Sequence, residues 1–125
     1  MSPKIRIFLC DDVPELRTLL RYALEEDRRF EIAGEAGTAA QGIAEVRRLQ
    51  PDVVLLDLSM PGMDGLEAIP HMREAAPRAA IIVFSGFAAE RLRDTALALG
   101  AVGYIEKGEP LDRLCATVHA LATAA

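Results

Sequence analysis

The chain contains no tryptophan, only two cysteines and 5% aromatic residues among its 125 positions. Cys10 and Cys115 match no disulfide framework and no zinc-ligand spacing. Cys10 falls in a predicted strand and Cys115 on the apolar side of the last predicted helix, where both serve as small buried hydrophobes. No apolar run approaches the ~20 residues that a bilayer-spanning helix requires; the longest extends from Ala79 to Phe84. The N-terminus alternates Lys4 and Arg6 with apolar residues and lacks the apolar stretch of a signal peptide. Lysine and arginine are scattered, and the net charge is -5. A basic stripe is therefore missing, which disfavours direct binding to nucleic acid. Linkers, charge blocks and low-complexity segments are absent too, apart from the alanine-rich end Ala120 to Ala125. The expectation is a soluble, cytoplasmic protein without membrane contact, forming one domain over residues 1–125.

Hydrophobic residues make up 51% of the chain, and their pattern alternates between strand and helix five times. Strands are predicted at Ile5–Cys10, Phe30–Glu35, Val53–Asp57, Ala80–Ser85 and Val102–Glu106. The first, third and fourth are nearly continuous apolar runs rich in branched residues, as parallel strands covered on both faces require. The second and fifth carry more polar positions and suit the edges.

The intervening helices have readable ends. Pro14 falls in the first turn of helix one, whose predicted apolar stripe is Val13, Leu16, Leu20, Ala23 and Leu24. Thr38 and Gln41 form a capping box for helix two, and Asp64 and Glu67 one for helix three. Helix four carries Leu92, Ala96 and Leu99 on one side and stops at Gly100. Helix five begins near Pro110 and is predicted to bury Leu111, Leu114, Cys115, Val118 and Leu121. Pro70 falls inside helix three, so a kink or a lost first turn is expected there. His71 and His119 read as surface residues, and Arg91 and Arg93 as a solvated face. Alternating strand and helix implies right-handed crossovers. The result is an α/β fold with a doubly wound five-stranded parallel sheet, strand order 2-1-3-4-5, and helices on both faces.

Chemistry collects at one end of this sheet. Asp11 and Asp12 close the first strand, Asp57 the third, Ser85 the fourth and Lys107 the fifth. In an open parallel sheet, the carboxyl ends of the strands flanking the reversal of strand order form the ligand crevice. Three carboxylates on strands about 4.8 Å apart repel unless a cation compensates. A hard divalent ion such as Mg²⁺ suits these oxygen donors. A metal alone leaves Lys107 and Ser85 unexplained, whereas phosphoryl transfer uses both to neutralise phosphoryl oxygens. Asp57, the carboxylate surrounded by all of these groups, is then the nucleophile. Taken singly, each aspartate reads as a helix cap, Ser85 as a small strand residue and Lys107 as an edge charge; their convergence favours the site. Tyr104, a half-buried aromatic on an edge strand, carries no such signal.

These residues resemble the receiver domain of bacterial two-component response regulators over essentially the whole chain. The matching segments are FLCDD, LLDLSMPGMDG around Asp57, VFSG with Ser85, and GAVGYIEK with Tyr104 and Lys107. The resemblance implies a phosphorylation-activated switch, flavodoxin-like in fold. A histidine kinase or histidine phosphotransfer protein donates to Asp57 with Mg²⁺, and the domain catalyses only its own phosphorylation and hydrolysis. It implies that Asp12, Asp57 and the Ser59 carbonyl ligate Mg²⁺, with Asp11 acting through water. It also implies that Ser85 and Tyr104 move on phosphorylation and signal through helix four, strand five and helix five. The partner is then a downstream protein, a fused output domain or, on phosphorylation, a second copy.

Three departures stand out. Gly108 follows Lys107 where receivers commonly have a cis proline, so a trans bond is expected. Pro70 interrupts helix three. Ser59 and Phe87 occupy the positions two past the acceptor and two past the hydroxyl, where both are expected to overhang the pocket and tune the phosphorylated lifetime. The alternatives are the receiver part of a DNA-binding transcriptional regulator and a non-phosphorylated docking module. A small-molecule phosphatase is disfavoured, because Ser59 replaces the second carboxylate such chemistry needs.

Overall fold

A computed structural model describes residues 3–124. Its strands are β1 (Ile5–Cys10), β2 (Phe30–Ala36), β3 (Val53–Leu56), β4 (Ala80–Ser85) and β5 (Gly103–Glu106). Its helices are α1 (Pro14–Glu26), α2 (Ala39–Leu49), α3 (Gly65–Ala75), α4 (Ala89–Leu99) and α5 (Leu111–Thr123). All strand pairs are parallel, in the order β2-β1-β3-β4-β5. The two polar-patterned strands occupy the edges and the apolar ones the centre, as the sequence predicts.

Side-chain alternation along the central strands divides the core. Phe8, Cys10, Val54, Leu56, Ile81 and Val83 face α2, α3 and α4. Ile7, Leu9, Val53, Leu55, Ile82 and Phe84 face α1 and α5. Most residues of these strands thus bury their side chains against a helix on one face or the other, which is why the runs are nearly all apolar, with Arg6 and Ser85 near the strand ends as the exceptions.

The helix ends follow local chemistry. Thr38 Oγ1 accepts from the Gln41 N–H at 3.2 Å, and Asp64 Oδ1 from the Leu66 N–H at 3.0 Å. Gly100 ends α4 with φ of 120°. Gly108 takes φ of 105°, and its bond to Lys107 is trans, as expected.

Some expectations need correction. Val13 is the N-cap of α1 and is 41% exposed, so it does not belong to the buried stripe. Leu99 and Leu111 are also exposed, each at one end of its helix. His119 is not a free surface residue: its ring meets the edge of Phe30 at 6.3 Å between centroids. Helix α3 keeps its first turn, since Ala68 N–H donates to the Asp64 carbonyl at 3.1 Å, and it continues through Pro70 to Ala75. The exposed Pro70 therefore removes one backbone donor, the one opposite the Leu66 carbonyl, without ending the helix.

Candidate functional site

The sheet's hydrogen bonding continues one residue beyond several strands, and this places the site. Asp11 N–H donates to the Ala36 carbonyl at 3.0 Å, Asp57 N–H to the Cys10 carbonyl at 2.9 Å, and Lys107 N–H to the Ser85 carbonyl at 2.7 Å. The side chains that follow β1, β3 and β5 are thereby fixed at the same end of the sheet. One carboxylate oxygen from each of Asp11, Asp12 and Asp57 lies within 4.8 Å of the others. Asp11 and Asp57 are buried, and Asp12 is exposed.

Lys107 reaches into this cluster. Its Nζ is 3.0 Å from Asp11 Oδ2 and 3.4 Å from Asp57 Oδ1. It also lies 5.8 Å from the centroid of the Phe84 ring, an apolar wall that keeps part of the ammonium from water. Burial pulls the Lys107 pKa down, but Asp11 and Asp57 outweigh it and the net shift is upward. Burial and the neighbouring Asp11 charge push the Asp57 carboxyl up, against the opposing Ser59 N–H and Lys107 ammonium. The cluster therefore holds more negative charge than it can neutralise.

Hydrogen bonds within the site are incomplete. Asp11 Oδ1 accepts from the Val13 N–H at 2.9 Å, and Asp57 Oδ1 from the Ser59 N–H at 3.0 Å. Asp11 Oδ2 is buried and has no aligned hydrogen bond; its contact with Lys107 is an ion pair only. An oxygen-only donor set with excess negative charge, in which the buried Asp11 Oδ2 is met by the Lys107 ammonium without an aligned hydrogen bond, fits a hard divalent cation such as Mg²⁺.

Ser85 is fully buried at the end of β4, yet its Oγ accepts from the Phe87 N–H at 3.1 Å and has no bond to the carboxylates among the described residues. The Tyr104 hydroxyl donates to the Phe87 carbonyl at 2.9 Å. Ser85 and Tyr104 thus hold the two backbone polar groups of one residue. Phe87 itself is 52% exposed, and Ser59 is exposed as well. Cys10, next to Asp11, has its thiol pushed up to about 12 by burial and by Asp11 and Asp57. It stays protonated, which agrees with its packing role.

Two contributors went unrecognised in the sequence. Arg17 donates to the Asp11 carbonyl at 2.5 Å and to Glu35 Oε1 at 2.9 Å, while Arg21 pairs with the other Glu35 oxygen. Phe84 walls the lysine. The spacing of Arg17 and Arg21, four residues apart on one helix face, was the available signal for the first; a buried strand aromatic gives none for the second.

A family description, the response regulator receiver domain, matches residues 7–119. The chain belongs to this family. It is 43% identical over 117 residues to the nitrate/nitrite response regulator protein NarL of Escherichia coli, covering 93% of this chain and 54% of that protein. It is 38% identical over 130 residues to protein-glutamate methylesterase/protein-glutamine glutaminase 2 of Methanosarcina mazei, covering 96% of this chain and 35% of that protein. The receiver therefore spans about half the length of NarL and about a third of the methylesterase. Among solved structures, a LuxR-family two-component response regulator from Aurantimonas superposes with a TM-score of 0.89 at 30% identity, covering 96% of this chain and 86% of that one. The signal receiver domain of a NarL from Mycobacterium tuberculosis superposes at 0.91 with 27% identity, covering 99% and 100%. The receiver fold and the acidic cluster thus occur together in this chain.

Proposed function

We propose that residues 1–125 form one receiver domain acting as a phosphorylation-activated switch, with Asp57 as the phosphoryl acceptor. The observation that carries this reading is the Lys107 ammonium set between Asp11 and Asp57 at 3.0 and 3.4 Å, inside a cluster of three carboxylates. Asp57 Oδ1 is held by the Ser59 N–H, and Oδ2 accepts no hydrogen bond among the described residues. In the forward step, an Asp57 oxygen forms a bond to the phosphorus of a phosphohistidine on a histidine kinase or histidine phosphotransfer protein. The P–N bond breaks, and its electron pair returns to the imidazole. In the hydrolytic step, water attacks phosphorus and the P–O bond to Asp57 breaks. Asp57 leaves as a carboxylate, and the phosphoryl group departs as inorganic phosphate carrying the water's oxygen and protons.

Lys107 and the Ser85 hydroxyl pair with phosphoryl oxygens as charge develops on them. Asp11, Asp12 and Asp57 would hold Mg²⁺ together with the Ser59 carbonyl. When bound, that ion supplies charge neutralisation of the phosphoryl group. Ser59 and Phe87 modulate access of water; the exposed ring of Phe87 shields the phosphoryl group, so Phe87→Glu speeds dephosphorylation. Engagement of Ser85 by the phosphoryl group loosens its hold on Phe87 and, through that residue, the grip of Tyr104. The change is read on the α4–β5–α5 face.

We place the domain in the cytoplasm, where its kinase would act; no helix of the described residues is long and apolar enough to cross a membrane. A second reading for the whole protein is that this chain is the receiver part of a DNA-binding transcriptional regulator; it is supported by the chain's covering only 54% of NarL, which leaves room for an output domain in a protein of that length.

Acetyl phosphate tests the switch. With Mg²⁺, the intact mass rises by one phosphoryl group, and chelation of the metal or Asp57→Asn abolishes the gain. A gain that persists in Asp57→Asn overturns the assignment.

A further inference from the structure

Asp12 is the exposed member of the acidic trio, and its carboxylate accepts no hydrogen bond among the described residues. With no side-chain bond to hold it, its placement depends on the backbone that carries it, and the peptide that enters Asp12 is the one carrying the Asp11 carbonyl. That carbonyl accepts from Arg17 Nη1 at 2.5 Å. The same guanidinium donates through Nε to Glu35 Oε1 at 2.9 Å, and Glu35 is held from its other oxygen by Arg21. The Arg17 side chain is only 17% exposed, so the bonds form where water competes little. Gly37 leaves the room this requires: a Cβ there would lie 3.3 Å from Arg17 Nη1 and 3.9 Å from the Asp11 carbonyl oxygen.

We infer that Arg17 is a positioning residue for the acidic pair: anchored by Glu35 at the end of β2, it fixes the Asp11–Asp12 peptide so that Asp12 faces Asp11 and Asp57 before any cation arrives. The inference rests on the reading of the site as a divalent-cation and phosphoryl site. The planar fork serves the Asp11 carbonyl and the Glu35 carboxylate at once from two nitrogens held in fixed geometry, which a single ammonium nitrogen does not reproduce. A lysine keeps the charge and loses one of the two bonds. Glu35, shared with Arg21, offsets part of the guanidinium's charge near the cation site.

The test is calorimetric titration of Mg²⁺ into the metal-free chain, since the absence of tryptophan removes that fluorescence signal. Arg17→Lys is expected to weaken Mg²⁺ binding on the order of tenfold, the usual scale for a group that orients a ligand without touching the metal. Glu35→Gln weakens it less but in the same direction, and carries the test if Arg17→Lys does not fold. Arg21→Gln also disturbs Glu35 but does not touch the Asp11 carbonyl, and leaves Mg²⁺ affinity within about twofold. A second readout needs no metal: amide exchange at Val13, whose N–H is bonded to Asp11 Oδ1, quickens in Arg17→Lys and stays unchanged in Arg21→Gln. Unchanged Mg²⁺ affinity in Arg17→Lys and Glu35→Gln overturns the inference, as does an equal loss in Arg21→Gln. If the wild-type chain takes up no Mg²⁺, the reading of the site fails instead, and the Val13 exchange rate still decides whether Arg17 holds the turn.

Discussion

Two clusters of charge meet at Asp11, and their imbalances are opposite. At the sheet end, Asp11, Asp12 and Asp57 share one ammonium, that of Lys107. Beside it, a single carboxylate, Glu35, is shared by two guanidiniums, those of Arg17 and Arg21. The consequences are visible in the acids. Burial pushes both carboxyls up, but the arginines more than reverse this for Glu35, whereas for Asp57 the Asp11 charge adds to burial. A completed ion cluster is architecture: it ties α1 to the end of β2. An incomplete one, with Asp11 and Asp57 buried, holds an excess of negative charge that a divalent cation would offset before a phosphoryl group could be accepted.

Removing the one ammonium of the deficient cluster has the largest effect. Lys107→Ala leaves Asp11 and Asp57 unopposed and abolishes phosphorylation by acetyl phosphate. Because the lysine is a quarter exposed, the metal-free chain loses about 2 kcal/mol, short of the roughly 3–5 kcal/mol of a fully buried pair. Urea unfolding measures this. An unchanged unfolding midpoint would mean the ammonium does not stabilise the carboxylates.

Next come two isosteric changes of opposite sign. Asp57→Asn removes excess buried negative charge and stabilises the metal-free chain by about 1 kcal/mol, while cancelling the rise in thermal midpoint that Mg²⁺ gives the wild type. Glu35→Gln destabilises by about 1 kcal/mol. Equal signs in thermal melts would erase the distinction between the clusters.

The Glu35 contribution has a pH signature. Its folded pKa lies below the ordinary glutamate value, so the stability it adds is whole above that ordinary value and is lost as pH falls through the lowered folded value. The gap in stability between wild type and Glu35→Gln is therefore full at neutral pH and closes on acidification. A gap that widens toward acid would contradict the pairing. The smallest effect belongs to a surface pair. Arg48 and Glu45 meet at 2.7 Å on the exposed side of α2, and Arg48→Ala leaves the thermal midpoint unchanged within error.

The deficient cluster was legible in the sequence and the complete one was not, for a physical reason. Asp11, Asp57 and Lys107 sit at the ends of apolar runs whose parallel pairing fixes where the next side chain falls, so strand pattern alone brings them together. Arg17 and Glu35 meet because of the rotation of α1 and the length of the edge strand, which runs to Ala36 instead of ending at Glu35. Neither follows from periodicity. The same limit explains Val13 and Leu111: the period of a helix identifies an apolar side but not how far the sheet beneath it extends. Ser85 was placed correctly by its strand, but its bond to the Phe87 N–H depends on the turn that follows. Pro70 had an evident local cost, and the continuity of α3 through it comes from packing of Ile69 and Met72 against the sheet, which no local rule contains.

The central claim is that this charge deficit makes one particular carboxylate the phosphoryl acceptor. After treatment with acetyl phosphate and Mg²⁺, borohydride reduction converts an aspartyl phosphate to homoserine, and peptide sequencing by mass spectrometry locates it. The expected result is homoserine at position 57 alone, absent when Mg²⁺ is chelated. Homoserine at position 11 or 12, or its formation without the metal, would contradict the account.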